Sequence, residues 1–280
     1  MSVPAFRWDV IVVGAGPTGT LVADRLRARG HTVLLLDAGP RIRRGERVRE
    51  VDRREWPFST VGLSFDWYRV RAVGGRGHIW GGWSYRLPES SLRRAGWPCT
   101  RTELDPYYTE LEQRLNVVEG ALDERYRRAA LALEVSIVPK RAALGRLGHI
   151  WRPQQEIVSQ AARAPRAALR FEHRAGRAEA LAIANLESAR PSSLRARAYV
   201  LAASPIETAR VLLASELERG ATGIGRNLVD HMVASYVLVE PAPVPPSVGR
   251  GPFPGAALVE SFVNVDEATS RPYRGGFSMG

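Results

Sequence analysis

The feature that most limits the fold is the glycine motif GAGPTG at residues 14–19, which lies between a short apolar strand and a helix. Residues 8–13 (WDVIVV) are mostly apolar and β-branched, which is typical of a buried parallel strand. Apolar residues then recur at helical spacing as far as Gly30, which stands where a helix C-cap belongs. A second apolar run, TVLLL at residues 32–36, follows at once. This order predicts a right-handed βαβ unit with its helix over residues 18–29.

The spacing of the glycines predicts a dinucleotide-binding turn. The pattern G-x-G-x-x-G between a strand and a helix is the Rossmann fingerprint. Gly14 makes the tight turn, Gly16 lets the backbone approach a pyrophosphate, and Gly19 lets the helix pack closely on the strand. The free N–H groups and the positive end of the helix dipole then hold the phosphates.

Asp37 completes the fingerprint. It ends the second strand eighteen residues after Gly19, close to the roughly 20-residue spacing of the acid that binds a ribose hydroxyl. Because a carboxylate there disfavours a 2′-phosphate, we do not expect NADP. The alternative for the whole motif is an ordinary βα turn with a surface aspartate.

The later chain bears on which dinucleotide is bound. An NAD dehydrogenase usually adds further βα units soon after the first, whereas about 160 residues separate Asp37 from a strand at residues 199–203. A helix follows that strand with Pro205 at its first position, where the missing N–H costs nothing. A chain that leaves the dinucleotide fold and returns to it is typical of flavoproteins, and it predicts a discontinuous, Rossmann-like parallel sheet in an α/β protein. An NAD-dependent dehydrogenase of unusual topology stays open as an alternative.

Composition narrows the possible partners. The net charge of +11 makes nucleic acid a candidate partner. However, only Lys140 among the 40 basic residues is lysine, and the arginines are scattered without the interleaved aromatic residues that stack on bases. We therefore expect an arginine-rich solvated face and no nucleic-acid partner. The single Cys99 excludes a disulfide framework and a thiolate metal cage. Since no apolar run approaches the roughly 20 residues of a membrane span, we expect a soluble, cytoplasmic protein with no metal site.

Local patterns predict the remaining elements. A helix should open near Thr102, because acidic residues fall in the turn that follows. Further helices are expected at residues 125–133 and 154–168, the second of them rich in alanine. Strands are expected as short pieces within residues 168–203, and at residues 257–265 and 275–280.

Five segments, taken in order, resemble the glucose–methanol–choline (GMC) family of FAD-dependent oxidoreductases. They are VIVVGAGPTGTLVADRLRARGHTVLLLDAG at residues 10–39, VGGRGHIWGGWSYRL at 73–87, GWPCTRTELDPYYTELEQRLNV at 96–117, AYVLAASPIETARVLLAS at 198–215 and GIGRNLVDHM at 223–232. The first segment alone would fit many flavoproteins, whereas the set in this order is specific. The sequences of these segments around Trp80 and Trp97-Pro98 resemble the sugar-oxidising branch of the family more than its choline branch.

The resemblance implies an FAD site with contacts from both glycine segments. In the family the second segment passes over the flavin, so Gly74 and Gly75 would let the backbone approach it. Pyranose oxidases join the flavin to a histidine directly before the tryptophan of this segment; Ile79 holds that place here and His78 is one residue early, so non-covalent FAD is expected. The alternative role for His78 is a turn histidine bonded to the backbone. The residues expected to contact the cofactor are Gly14, Gly16, Pro17, Thr18, Gly19, Asp37, Ala38, Gly74, Gly75, His78, Trp80 and Ser204.

The resemblance also implies an activity, the oxidation of a CH-OH group of a sugar or alcohol by hydride transfer to flavin. In the family the catalytic histidine lies near the C-terminus, and no histidine follows His231 here. The Asp230-His231 pair matches a structural position of the family, so no catalytic residue is assigned. A non-catalytic flavin- or nucleotide-binding fragment is the rival interpretation.

The resemblance implies a division of the chain into domains as well. Residues 1–95 and 171–231 would form the FAD-binding domain, residues 96–170 an inserted helical cap, and residues 232–280 the start of a substrate-binding domain. We expect the chain to correspond to the N-terminal half of a family member, truncated before the catalytic histidine. The expected partners are a small sugar or alcohol and a missing C-terminal half or partner chain.

Overall fold

The computed structural model divides the chain into two units, Met1–Ile79 with Arg152–Ala234 and Trp80–Trp151 with Ser235–Gly280. The structure describes residues 7–42, 70, 72–122, 124–132, 137–145, 148–153, 161–163, 167–174, 177–185, 191–216, 223–226, 228, 257–259 and 278–279. Asp230, His231 and the segment from 232 to 256 lie outside the described residues.

The elements follow one another in this order. The strands are β1 (Trp8–Val13), β2 (Val33–Asp37), β3 (Val117–Glu119), β4 (Ile137–Pro139), β5 (Arg141–Ala143), β6 (Ala161–Arg163), β7 (Ala167–Arg174), β8 (Arg177–Asn185), β9 (Pro191–Leu194), β10 (Ala196–Leu201), β11 (Ala257–Val259) and β12 (Ser278–Met279). The helices are α1 (Pro17–Ala28), α2 (Glu89–Arg94), α3 (Arg101–Arg114), α4 (Glu124–Ala132) and α5 (Pro205–Ala214), with a 3₁₀ helix at Gly75–His78. None of the helices in these described stretches is long and apolar enough to cross a membrane.

A four-stranded parallel sheet, in the order β10-β1-β2-β6, organises the first unit. Ile11 in the middle of β1 pairs with Leu34 of β2 on one side and with Tyr199 of β10 on the other. Both faces of β1 are buried, which explains why its sequence is a continuous apolar run. The predicted βαβ unit and the late strand that rejoins its sheet are both confirmed.

Two apolar clusters cover the faces of this sheet. On one face Val10, Val12 and Leu35 pack with Ala23 of α1. On the other face Ile11 and Val13 belong to a cluster that reaches β7, β8 and α5. The side chains of β1 therefore alternate between the two clusters, as the pleat of a strand requires.

An antiparallel sheet of three strands, β7-β8-β9, forms the rest of the first unit. Phe171 and Leu181 point into the second apolar cluster, and the Phe171 ring meets Tyr199 edge to face with 5.0 Å between centroids. Ser215, just after α5, accepts a hydrogen bond from the Phe171 N–H at 2.7 Å. These contacts tie the antiparallel sheet to α5 and to β10.

The prediction of a helix at residues 154–168 is wrong for the part of this segment that the structure describes. Residues 161–163 form β6, which pairs in parallel with β2, and β7 has begun by Ala167. Alanine favours a helix only weakly, so backbone pairing with a buried strand overrides that preference. The predicted helices near 102 and over 125–133 are confirmed as α3 and α4, within one residue at their starts.

The second unit contains the remaining helices and two small antiparallel sheets, β12-β11-β4 and β3-β5. Helix α3 begins with a reciprocal capping box: the Thr100 hydroxyl accepts from the Glu103 N–H, and the Glu103 carboxylate accepts from the Thr100 N–H at 2.7 Å. Arg86 donates to Glu112 and to Asp105 of this helix at 2.7–2.8 Å. Charged hydrogen bonds, rather than deep burial, thus hold α3 in its unit.

Candidate cofactor-binding site

A cleft lies in the first unit where β1, β2 and β10 end. Its floor is formed by Val13, Asp37 and Ala202, which stand at or just after the carboxyl ends of these strands. In open parallel sheets, ligands bind outside the carboxyl ends of the strands, between the chain segments that leave in different directions. The cleft therefore occupies the position where this architecture offers a binding site.

The first glycine motif shapes one wall of the cleft. Gly14 has φ +102°, and a Cβ there would collide with the Ala202 carbonyl. A Cβ on Gly19 would collide with the Gly14 carbonyl, so this glycine brings α1 against the strand. Gly16 caps the start of α1 and has only open space where its Cβ would be. Since the first turn of α1 carries no acidic residue, its N–H groups are available to an anion.

The Asp37 carboxylate is oriented by the backbone around it. Its Oδ2 accepts from the Ala15 N–H and its Oδ1 from the Gly39 N–H, both at 2.7 Å. An ionised carboxylate offers about four acceptor sites in all, so it can bind more than two donors. Asp37 is thus fixed at the end of β2 and lines the cleft beside the glycine motif.

The second glycine segment is joined to the first. The Gly74 N–H donates to the Ala15 carbonyl at 2.8 Å, and a Cβ on Gly75 would touch Gly16 at 3.4 Å. Both Gly74 and Gly75 have positive φ, +103° and +49°, which explains the glycine pair at this sharp turn. Gly75 and Arg76 line the cleft, whereas Gly74 supports the turn from behind.

His78 and Trp80 are not among the residues that line the cleft. His78 is 7% exposed, and its Nε2 lies 2.7 Å from the Val73 carbonyl. Trp80 belongs to the second unit, where its Nε1 donates to the Trp151 carbonyl at 2.8 Å. The structure brings together eight of the twelve predicted cofactor residues as cleft lining: Gly14, Gly16, Pro17, Thr18, Asp37, Ala38, Gly75 and Ser204.

Ser204 lines the cleft at the start of α5. It has φ +75°, a conformation that costs a non-glycine residue of the order of 1–3 kcal/mol. Its hydroxyl oxygen is buried and has no hydrogen-bond partner among the described residues. Backbone strain and unsatisfied buried polar groups are found most often at functional sites. Both features at Ser204 therefore indicate a ligand-binding position.

Sequence reasoning missed the charged residues of this cleft. Glu207 and Arg210 of α5 line the cleft and form an ion pair with 2.9 Å between Arg210 Nη2 and Glu207 Oε2. Leu169 and Val211 complete the apolar lining beside them. The signal that was available is the pattern S-x-x-E at 204–207, which indicates a helix start.

Comparisons with known proteins agree with this architecture. A model of the NAD(P)-binding Rossmann-like domain matches residues 12–61. Paromamine 6′-oxidase of Streptomyces fradiae is 33% identical over 149 residues, which cover 44% of this chain and 26% of that protein. The 6‴-hydroxyparomomycin C oxidase of Streptomyces lividus is 24% identical over an alignment of 347 residues, which covers 92% of this chain and 61% of that protein.

The fold has a solved counterpart. The crystal structure of pyridoxine 4-oxidase from Mesorbium loti superposes with a TM-score of 0.55 at 16% identity, over 75% of this chain and 52% of that one. The chain thus spans about half to three-fifths of the length of these longer matches. Its glycine motif, its rejoined parallel sheet and these relatives together show a chain that resembles the GMC-type oxidoreductases and carries a Rossmann-like nucleotide-binding domain.

Proposed function

We propose that this chain is the FAD-binding part of a GMC-type oxidoreductase that oxidises a CH-OH group of a sugar or an alcohol. The observation that carries the proposal is the cleft itself. It is lined by a helix N-terminus without an acid, an oriented carboxylate and a buried hydroxyl that has no partner among the described residues. The two streptomycete relatives, named as oxidases of paromamine and of 6‴-hydroxyparomomycin C, support the reaction class.

Three features of the cleft support a dinucleotide as its ligand. The N–H groups at the start of α1 would hold the pyrophosphate, and the absent Cβ of Gly16 leaves room for its close approach. Asp37 would accept from the hydroxyls of the adenosine ribose. Gly75 would let the backbone of the second segment lie against the cofactor. When bound, FAD supplies the acceptor for a hydride from the substrate carbon.

We propose that the flavin is bound without a covalent bond. His78 is buried beneath Gly74, and its Nε2 is engaged by the Val73 carbonyl. Ile79 occupies the position next to Trp80, and an isoleucine side chain has no atom that forms such a bond. Both observations support a cofactor held by hydrogen bonds and charge alone.

We also propose a division of the chain into domains. Residues 1–95 with 171–231 are proposed as the FAD-binding domain, 96–170 as an insertion and 232–280 as the start of a substrate-binding domain. No residue of this chain is assigned as the catalytic base. A cytoplasmic location is proposed because Cys99 has no cysteine partner in the chain.

Absorbance spectroscopy of the purified protein tests the cofactor. We expect a flavin spectrum, and we expect acid precipitation to leave the yellow colour in the supernatant and the protein pellet colourless. A pellet that keeps the flavin would contradict non-covalent binding. A protein that stays colourless after incubation with FAD, yet binds NAD, would favour the nicotinamide alternative.

A further inference from the structure

Two helix N-termini face the same cleft, and they differ in charge. Helix α1 begins after Gly16 and has no acidic residue in its first turn. Helix α5 begins after Ser204 and carries Glu207 in its first turn, with only 8% of that residue exposed. Both helix ends line the cleft. A ligand there therefore meets the α1 end, which attracts anions, and the α5 end, where the Glu207 carboxylate already supplies a negative charge.

The Glu207 carboxylate is held in place by its own helix. Arg210 donates to Glu207 Oε2 through Nε at 3.0 Å and lies within 2.9 Å of it through Nη2. The Arg210 side chain is 43% exposed, whereas that of Glu207 is 10% exposed. The carboxylate is therefore the more buried member of the pair, although both side chains line the cleft.

Ser204 and Glu207 match the capping-box pattern but do not form the box. In α3 the same pattern, Thr100 to Glu103, gives the reciprocal hydrogen bonds of a capping box. In α5 the Ser204 side chain makes no capping bond, because its backbone is in the φ +75° conformation. Its buried hydroxyl is left without a partner among the described residues. Both residues line the cleft, and neither closes a capping box at this helix end.

We propose that Glu207 is a specificity-determining residue that makes the α5 end of the cleft reject phosphate and, together with Ser204, accept a neutral hydrogen-bond donor. A ligand hydroxyl or amino group can donate to the Glu207 carboxylate and satisfy the Ser204 hydroxyl. A phosphate would meet the carboxylate as a like charge and is directed to α1 instead. The inference rests on the proposed function only in taking a dinucleotide as the ligand.

The test measures binding of pyrophosphate, ADP and FAD to the 280-residue chain by titration calorimetry. The variants are Glu207→Gln, which keeps the shape and removes the charge, and Arg210→Gln, which leaves the carboxylate without its guanidinium. The first unit contains a matched control pair away from the cleft, Glu179 and Arg195, with 3.9 Å between Oε2 and Nη2. Glu179→Gln and Arg195→Gln make the same changes in net charge.

We expect the two cleft variants to change pyrophosphate affinity in opposite directions. Glu207→Gln should bind pyrophosphate about fivefold or more tightly, and Arg210→Gln more weakly, whereas the control variants should change it less than about twofold. The ratio of FAD to pyrophosphate affinity should fall in Glu207→Gln. A Glu207→Gln protein whose pyrophosphate affinity matches that of Glu179→Gln would overturn the inference.

Ser204→Ala identifies the neutral donor. A weaker affinity for both ADP and FAD would place the donor on the adenosine half of the cofactor, and a loss with FAD alone would place it on the flavin half. Unchanged affinity for both ligands would overturn the role of Ser204. A wild-type chain that binds ADP but not FAD would contradict the proposed flavin function, while the Glu207 comparison would still be decided by ADP and pyrophosphate.

Discussion

Two backbone N–H groups fix the Asp37 carboxylate independently of any ligand, so this side chain has little freedom to lose when a ribose arrives. We predict that Asp37→Asn lowers FAD affinity by about tenfold or more, because a hydrogen bond to a charged group is worth about 1.5–3 kcal/mol. Equilibrium dialysis against FAD measures the change. An Asp37→Asn protein that retains FAD as tightly as the wild type would show that the carboxylate only closes the end of β2.

Ser204 illustrates a residue whose local energy is unfavourable in the ligand-free protein. Its φ of +75° is strained and its hydroxyl is buried without a partner among the described residues. We predict that Ser204→Gly raises the free energy of unfolding by about 1 kcal/mol, since glycine adopts positive φ without strain. Urea unfolding of ligand-free protein measures this. Ser204→Ala, which keeps the strain, should be less stable than Ser204→Gly, and the reverse order would contradict the interpretation.

At the scale of elements, the hydrogen bonds on α3 give the second unit a pH dependence. Hydrogen bonds from Arg86, together with the nearby charge of Arg141, hold the pKa of Glu112 below its usual value of 4.5. Because the folded pKa is lowered, the stabilisation is complete above the unfolded pKa and is lost as the pH falls through the folded one. Glu112→Gln should therefore be less stable at neutral pH and should lose less stability on acidification.

Urea midpoints from neutral pH down to about pH 3 follow this effect. Glu124→Gln removes an exposed carboxylate of α4 in the same unit and is the control. If Glu112→Gln and the wild type lost stability equally on acidification, the Arg86–Glu112 hydrogen bonds would not contribute to the pH dependence of the free energy of unfolding.

Local patterns and tertiary pairing explain which elements were predictable. β1, α1 and β2 follow from periodicity and from the glycine motif, because their burial and turns are encoded in adjacent residues. β6 was missed because its alanine-rich sequence favours a helix, and only pairing with β2 makes it a strand. At the site, Glu207 was missed because the pattern S-x-x-E ordinarily indicates a capping box. Only the φ of Ser204, which the sequence does not reveal, shows that no capping box forms at the start of α5.

At the scale of the whole molecule, the cleft combines binding groups without an evident base. Among the described residues that line it there is no histidine, and the chain spans about half to three-fifths of the length of its longer matches. We predict that dithionite bleaches the bound flavin of this chain, whereas sugars and alcohols do so slowly or not at all. Loss of a general base typically lowers a rate by about 10²–10⁴-fold. Rapid bleaching by an alcohol would show that the chain contains its own base.

The parallel pairing of β1 with β10 also sets an order of events during synthesis. Val13 and Leu201 are register partners, yet they lie 188 positions apart in the sequence. At about 5–20 residues per second, roughly 10–40 s pass on the ribosome before β1 meets its second neighbour. Throughout that interval one apolar edge of the nascent sheet stays open to other chains. Holdase chaperones that cover this edge during synthesis should therefore raise the yield of folded protein.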